Sequence, residues 1–170
     1  MRRRGFSLIE LTVVLLIAGV VAGAVVVRLH DPMRRAELAD MLDGIAHLDR
    51  LTRTAACRHD RPLRLVVDLS AGEVRQTDTS GEQGLDALKL PGGWRIERLI
   101  LRDRVVHSGS VSITCSRGGR TPSYALHLAG PGGRGKWLLL AGLTGRHVEV
   151  DSEEDIRAIL AATGLRADAR

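Results

Sequence analysis

The chain is poor in aromatic residues, cysteine and lysine. Its 170 residues include four aromatic side chains, Phe6, Trp94, Tyr124 and Trp137. Proteins that bind single-stranded nucleic acid by base stacking need several aromatic platforms, so the composition disfavours that class. Any hydrophobic core must be mainly aliphatic. The length suits one domain of ordinary size with an appended segment.

The sequence also lacks the residues that most metal sites and many hydrolases require. Two cysteines, Cys57 and Cys115, cannot build a disulfide scaffold or a structural zinc site, which needs four ligands. The six histidines are scattered without a metal-binding pair, and no G-x-S-x-G motif occurs. We therefore predict no enzyme activity, no cofactor and no metal.

One glycine-rich stretch imitates a phosphate-binding loop. Residues 130–136 fit most of the G-x-x-x-x-G-K pattern, but Trp137 stands where a magnesium-binding Ser or Thr is needed. The residues that follow have the pattern of a strand, whereas a phosphate site needs a helix N-terminus. We interpret the stretch as a hairpin turn.

A long apolar run near the N-terminus is the main feature that is present. Phe6 to Val27 is a run of 22 residues with one charged residue, Glu10, and Arg2-Arg3-Arg4 precede it. As a helix it would be roughly 33 Å long, enough to cross a hydrocarbon core. The three leading arginines favour a cytoplasmic N-terminus, with everything after Arg28 across the membrane.

The residues around Glu10 form a specific sequence pattern at the start of the apolar run. Residues 3–11 read Arg-Arg-Gly-Phe-Ser-Leu-Ile-Glu-Leu, followed by apolar residues. This resembles the prepilin-type leader of type IV pilins and type II secretion pseudopilins. The resemblance implies cleavage after Gly5 by a prepilin peptidase, methylation of the new amine on Phe6, and assembly into a filament. An amine on Phe6 would lie one helical turn from Glu10, which can pair with its own amine or a neighbouring subunit's.

An ordinary secretory signal peptide is the rival interpretation of the same run. Ala22-Gly23-Ala24 would then be an A-x-A cleavage site, the mature chain would begin at Val25, and the product would be an exported soluble domain. The apolar run continues through residues 25–27 and opens with an acid, both of which disfavour this interpretation. Gly19 and Gly23 form a G-x-x-x-G pattern that is consistent with helix packing in lipid.

Helical periodicity resumes beyond the apolar run. Asp31-Pro32 predicts a break or kink, because proline disfavours helix at the preceding residue. An amphipathic helix is predicted over residues 33–58, with Asp49 assigned to its polar side. Its predicted apolar face consists of Leu38, Met41, Leu42, Ile45, Leu48 and either Leu51 or Thr52.

Alternating segments after this helix predict an antiparallel β-sheet that covers the apolar face. A hairpin is expected at 63–77 with its turn at Ser70–Glu73, and a loop is expected at Asp78–Gly84. Further alternating segments lie at 94–97, 111–116, 124–128, 137–141 and 146–150, with turns at 117–119 and 142–145. The predicted fold class is α+β, with a long N-terminal helix packed against an antiparallel sheet. The order of segments from Gly118 to Val148 resembles minor pseudopilins of the H type.

Three smaller features stay open at this point. Ser152 is a plausible N-cap of a short C-terminal helix that ends at Gly164, which departs from the H-type pattern. Two alternatives are open for Cys57 and Cys115, which are one bridge in an oxidising periplasm or two separate thiols. A patch of arginines is a candidate surface for DNA, but we favour the simpler interpretation of a solvated face; its members are Arg95, Arg98, Arg102, Arg104, Arg117 and Arg120.

These observations predict a minor subunit of a type II secretion pseudopilus, with a DNA-binding minor type IV pilin as the alternative. The expected partners are other pilin-like subunits, prepilin peptidase and the inner membrane. The expected organisation is a leader at 1–5, a transmembrane helix at 6–28 and its amphipathic continuation at 29–58, then a periplasmic β-rich domain at 59–151 and a C-terminal helix and tail at 152–170.

Overall fold

The computed structural model describes residues 8–79, 83–101, 104–131, 133 and 135–167. The first described element is a helix, α1 (Leu8–Arg58), and the last is a second helix, α2 (Glu153–Ala167). Among the described residues, nine strands lie between the helices: β1 (Leu63–Asp68), β2 (Glu73–Thr77), β3 (Gln83–Lys89), β4 (Arg95–Leu101), β5 (Arg104–Val106), β6 (Ser110–Cys115), β7 (Tyr124–Ala129), β8 (Gly135–Leu140) and β9 (His147–Val150). The α+β fold class with antiparallel pairing is confirmed.

The chain divides into two compact units, with the boundary after Asp40. The first unit contains the N-terminal part of α1. The sequence predicted a break or kink at Asp31-Pro32. Both residues lie within α1, so the break is wrong, whereas the kink stays a prediction.

The second unit begins at Met41 and contains the rest of α1, both sheets and α2. The predicted apolar face of the helix is largely confirmed, since Met41, Leu42, Ile45, Leu48 and Thr52 are buried, while Leu51 is exposed. The helix ends in a hydrogen-bonded C-cap: Asp60 has a positive φ of 46°, and Arg61 N donates to Ala56 O. This is the Schellman arrangement, with an aspartate in the position that glycine usually takes.

The strands form two antiparallel sheets rather than the single set that the alternation suggested. The four-stranded sheet has the order β3-β2-β1-β6, and the five-stranded sheet has the order β5-β4-β7-β8-β9. The predicted β1–β2 hairpin is confirmed, with Asp68 opposite Glu73. The predicted loop at 78–84 is too long, because β3 begins at Gln83. The three-residue strand β5 was not predicted, since so short a segment shows no alternation.

Both faces of the five-stranded sheet are covered. Alternate residues of β7 point to opposite faces, and Tyr124 contacts α1 whereas the next residue, Ala125, packs against α2. On the face of the sheet that α2 covers, the buried apolar residues form one cluster, which consists of Ile100, Ala125, Trp137, Leu139 and Ile156. This double coverage explains why β7 and β8 are apolar on successive residues.

The C-terminal helix begins as predicted and ends later. Ser152 Oγ accepts a hydrogen bond from Glu154 N at 3.1 Å, which is the geometry of an N-cap. The predicted stop at Gly164 is wrong, since α2 continues to Ala167. A glycine within a helix costs only about 1 kcal/mol relative to alanine, and so it does not by itself end one.

Candidate functional site

The N-terminal part of α1 presents apolar side chains to its surroundings. Leu8, Leu16 and Val20 are each at least 67% exposed, and the other large apolar residues between Leu8 and Val21 are about half exposed or more. Glu10 lies in the first turn and is the one charged residue of this stretch. A helix surface that is apolar on all sides is typical of a segment surrounded by lipid or by other helices.

The predictions of a membrane span and of processing both concern this segment. Among the described residues, no helix is found that is long and apolar enough to cross a membrane. Gly5 and Phe6, the predicted cleavage and methylation residues, lie outside the described residues. A Cβ added at Gly19 or Gly23 would meet no atom within 4 Å, so both glycines leave the helix surface open.

A buried polar cluster that the sequence did not predict lies farther along α1. Asp49 and Arg53 are 2% and 8% exposed, although the periodicity assigned Asp49 to the polar side. Arg53 Nε donates to Asp49 Oδ2 at 2.5 Å, and Tyr124 Oη donates to Asp49 Oδ1 at 2.9 Å. We call these three residues the Asp49 clamp. The assignment of Asp49 was wrong because periodicity classifies an acid as exposed unless its partners are known.

The clamp also connects two loops through Arg53. Arg53 Nη1 donates to the carbonyl of Gly142 at 2.6 Å, and Nη2 donates to Thr121 Oγ1 at 2.6 Å. A Cβ at Gly142 would overlap the carbonyl of Thr121, so only glycine fits there. Arg53 therefore joins the helix, the β6–β7 loop and the β8–β9 turn, where guanidinium donors satisfy carbonyls that strand pairing leaves free.

Burial suppresses ionisation of Tyr124 and of the nearby Cys115. Burial, reinforced by the Asp49 carboxylate, raises the pKa of Tyr124 well above its usual range. Burial also raises the pKa of the Cys115 thiol from 9.0 to about 11. Both groups therefore stay neutral at physiological pH, and Tyr124 remains a hydrogen-bond donor to Asp49.

The two cysteines are free thiols in different environments. Cys57 is exposed near the end of α1, and Cys115 is buried at the end of β6, next to Ala56 and Leu63. Both are free in this structure, and the bridge that the sequence left open stays a prediction. A Cβ at Gly119 would approach Cys57 Sγ to 2.8 Å, so glycine lets the β6–β7 loop pass close to the helix.

The arginines proposed as a DNA patch are divided between the two sheets. Arg95, Arg98 and Arg104 belong to the five-stranded sheet, while Arg117 and Arg120 follow β6 of the other sheet. Arg98 is already paired, since its Nη1 lies 2.7 Å from Glu153 Oε2 of α2. Arg102 lies outside the described residues. A continuous phosphate-binding surface would need unpaired cations on one face.

The described residues offer little of the chemistry that catalysis needs. Strand β8 starts at Gly135, so the glycine-rich stretch is a hairpin turn between β7 and β8, as predicted. His127 Nδ1 lies 2.9 Å from Glu97 Oε2 beside this turn. Within the described part of the chain, no three His, Cys, Asp or Glu side chains are close enough to hold a metal ion.

Comparison with known proteins accounts for both the leader and the domain. Residues 1–26 match the model of the prokaryotic N-terminal methylation motif. The minor pseudopilin EpsH from the type 2 secretion system of Vibrio cholerae superposes with a TM-score of 0.56 and 9% identity, over 69% of this chain and 97% of EpsH. The fold is pilin-like. A second EpsH crystal structure gives a TM-score of 0.52 with 8% identity, over 68% of this chain and 96% of EpsH.

The same pilin-like fold occurs in the type IV minor pilin FimU of Pseudomonas aeruginosa PAO1. FimU superposes with a TM-score of 0.51 and 14% identity, over 68% of this chain and 89% of FimU. No curated protein sequence matches the chain. The resemblance predicted from the leader and the strand order is thus confirmed by a sequence motif at the N-terminus and a pilin-like fold in the globular part.

Proposed function

We propose that this chain is a minor subunit of a type II secretion pseudopilus and takes part in protein export by assembling with other pilin-like subunits. The observation that carries the proposal is the combination, in one chain, of an N-terminal methylation motif and a domain with the fold of EpsH. The motif alone would fit any prepilin-like protein, and the fold alone would fit a domain without an anchor.

Processing is the first step of the proposed mechanism. A prepilin peptidase cleaves between Gly5 and Phe6 and removes the three leader arginines. The new α-amine of Phe6, with an unperturbed pKa of about 7.7 to 8, is a cation for much of the physiological range. Methylation of Phe6 preserves that charge.

The apolar helix then anchors the subunit in the inner membrane. The leader arginines hold the N-terminus in the cytoplasm before cleavage, and the domain after Arg28 lies in the periplasm. The exposed apolar side chains between Leu8 and Val21 support this arrangement, because contact with lipid or with other helices removes them from water.

Glu10 sets the register of assembly. An acid in an apolar environment costs on the order of 3 kcal/mol without a partner. The amine on Phe6 of a neighbouring subunit offers such a partner, so the helices are most stable where the two charges meet. The role of the chain is therefore assembly, with no catalytic step.

Mass spectrometry of the mature N-terminus is the first test. Full-length protein from cells that contain a prepilin peptidase should begin at N-methylated Phe6, and protein from peptidase-deficient cells should begin at Met1. A chain that begins at Val25 would indicate a secretory signal peptide and an exported soluble domain. A leader that stays attached to Phe6 in peptidase-containing cells would refute the proposal.

Substitution of Glu10 is the second test. Glu10→Ala should abolish incorporation into the filament, measured by the amount of subunit in sheared filament fractions. The matched control is Glu37→Ala, since Glu37 is also an exposed acid on α1 but lies beyond the apolar run. Equal incorporation of both variants would show that Glu10 has no role in register.

A minor type IV pilin is the second candidate, and the likeness to FimU supports it. Such a subunit would contact other pilins and, through its arginines, DNA. Cross-linking of the full chain to secretion pseudopilins would favour the first candidate. Salt-dependent retention of DNA by the detergent-solubilised chain would favour the second.

A further inference from the structure

Leu143 is the most exposed large apolar side chain among the described residues from Met41 onwards. It is 72% exposed, whereas Val148, Ile159 and Leu51 are 50% exposed or less. Leu143 occupies the turn between β8 and β9. Single exposed apolar residues are common on protein surfaces, so exposure alone does not indicate a binding site and the surroundings of the residue decide.

The turn that carries this leucine is fixed by hydrogen bonds at both of its ends. Gly145 N donates to Ala141 O at 2.9 Å, and Ala141 N donates to Arg146 O at 2.8 Å. The Gly142 carbonyl accepts a hydrogen bond from the buried Arg53 side chain and another from a backbone N–H of the β6–β7 loop. A side chain on a turn that is already ordered loses little conformational entropy when it binds a partner.

Three exposed arginines flank the turn. Arg146 belongs to the turn itself, and Arg117 and Arg120 belong to the β6–β7 loop. That loop lies beside the turn, since Thr121 N donates to Gly142 O at 3.2 Å. In the described part of the chain, no carboxylate lies within ion-pair distance of these three arginines. Their guanidinium groups are charged throughout the physiological pH range.

Leu143 and these three arginines, Arg117, Arg120 and Arg146, are called the Leu143 surface. An exposed apolar side chain with charged residues around it has the two parts of a protein interface, which are an apolar anchor and a polar rim. Guanidinium groups bind carboxylates through two parallel hydrogen bonds. The surface therefore fits a partner that is apolar at one point and acidic around it.

We propose that the Leu143 surface is a docking site for another protein, whose matching face has an apolar recess for Leu143 and Asp or Glu side chains opposite the three arginines. The arginines attract the acidic face, and the leucine supplies the anchor once the two surfaces meet. This inference goes beyond the proposed function, because it uses the globular domain alone and holds for a secretion subunit and a pilus subunit alike.

Nucleic acid and lipid fit the Leu143 surface less well than protein. Proteins that bind duplex DNA through its backbone make about 6 to 10 phosphate contacts, and this surface offers three arginines. A phosphate backbone has no apolar recess for the leucine. The ordered turn favours binding only to a partner of fixed shape, which a lipid surface does not have.

Photo-cross-linking from Gly118 tests the proposal in the cell. A Cβ at Gly118 would meet no atom within 4 Å, so p-benzoylphenylalanine fits there and leaves Leu143 and the arginines unchanged. The full-length chain with this substitution is produced in cells of its own organism and irradiated. We expect one discrete protein adduct, and mass spectrometry of the cross-linked partner peptide should show Asp or Glu residues next to apolar ones.

Gly92 provides a matched control for the position of the probe. It is exposed, and a Cβ there would likewise meet no atom within 4 Å. Gly92 lies between β3 and β4, near the residues where Arg95 pairs with Ala129 at the end of β7, whereas the β6–β7 loop leads into the start of β7. The adduct should therefore be absent when the probe is at Gly92.

Two substitutions test the two parts of the surface. Leu143→Ala should lower the yield of the Gly118 adduct at least about tenfold, as expected for truncation of an interface anchor, and Leu51→Ala on α1 should leave it unchanged. Arg120→Glu should also lower it at least about tenfold, because like charges then face each other, and Arg95→Glu on β4 should not. All four side chains are exposed, so circular dichroism should show the same thermal unfolding transition in every variant.

A charge exchange tests the pairing itself. Replacing an acid of the cross-linked partner peptide with arginine should restore the adduct in the Arg120→Glu chain, because opposite charges then face each other again. Failure of every such exchange would contradict the proposed pairing of arginines with acids.

Further results would overturn the proposal. No adduct from Gly118, or an adduct that persists in both Leu143→Ala and Arg120→Glu, would exclude docking through this surface. A nuclease-sensitive adduct would indicate nucleic acid, and a lipid adduct in the mass spectrum would indicate a membrane surface. Equal loss of the adduct in Arg95→Glu and Arg120→Glu would indicate general charge attraction rather than a docking site.

Discussion

Tyr124 Oη donates a 2.9 Å hydrogen bond to Asp49 Oδ1 and so connects the five-stranded sheet to helix α1. Both side chains are buried. Asp49 also receives a hydrogen bond from Arg53, which leaves the carboxylate with a charged and a neutral donor. A buried carboxylate is stable only with such partners, and each clamp residue therefore depends on the other two.

Removing the Tyr124 hydroxyl should weaken the clamp without disturbing the packing of the ring. We expect Tyr124→Phe to lower the free energy of unfolding by about 1.5 to 3 kcal/mol, the usual value of a hydrogen bond to a charged group. Urea denaturation followed by circular dichroism measures the change. A variant as stable as the parent would show that the Asp49 carboxylate does not need this donor.

Removing the Arg53 guanidinium should cost more. Arg53→Met leaves the Asp49 carboxylate buried without its cation and removes one of the two donors to the Gly142 carbonyl, so we expect a loss of about 3 to 5 kcal/mol. The matched control is Arg50→Met on the exposed side of the same helix, which should change stability by at most about 0.5 kcal/mol. The double variant Arg53→Met with Asp49→Asn should recover part of the loss, and a double variant no more stable than Arg53→Met would contradict the pairing.

The buried thiol predicts both a labelling pattern and a pH dependence. Cys57 should react rapidly with iodoacetamide at pH 8, and Cys115 should react only after unfolding, because the thiolate is the reactive form. The folded state holds the Cys115 proton more tightly, with a pKa of about 11 against 9.0. Its stabilising contribution is therefore present below pH 9 and is lost as the pH rises towards 11.

Comparison with Cys115→Ala isolates that contribution. The parent should lose more stability than the variant between pH 9 and pH 11, measured by urea denaturation at each pH. Parallel pH curves for the two proteins would show that Cys115 has the same pKa in the folded and unfolded chains.

The packing of the C-terminal helix α2 should depend mainly on one side chain, Ile156. Ile156 is fully buried among Ala125, Trp137 and Leu139, so Ile156→Ala should cost about 2 to 5 kcal/mol and raise hydrogen exchange in α2 and β8. Ala158→Ser, at an exposed position two residues farther along α2, should change stability by at most about 0.5 kcal/mol. Unchanged exchange in the Ile156 variant would mean that other contacts hold the helix.

Sequence patterns predicted those parts of the fold whose signals are local. The leader depends on Gly5, Phe6 and Glu10 in one short stretch, and the N-cap at Ser152 depends on residues two apart. The division of the strands into two sheets depends on pairings between distant segments, and alternation does not specify a partner. The Asp49 clamp was missed for the same reason, since Tyr124 lies 75 residues away.

One signal for the clamp was available in the sequence. Asp49 and Arg53 are four residues apart, so they share a helix face, and both border the apolar stripe that includes Ile45 and Thr52. An ion pair next to a buried stripe suggests partial burial. The identity of its third member required the sheet.

The burial of Ile156 has a consequence for proteolysis. Its side chain packs with Trp137 and Leu139, so local unfolding of α2 exposes a large apolar surface of the five-stranded sheet. Proteases cleave such transiently opened states, and the packing of one isoleucine therefore controls how often this surface is open to attack.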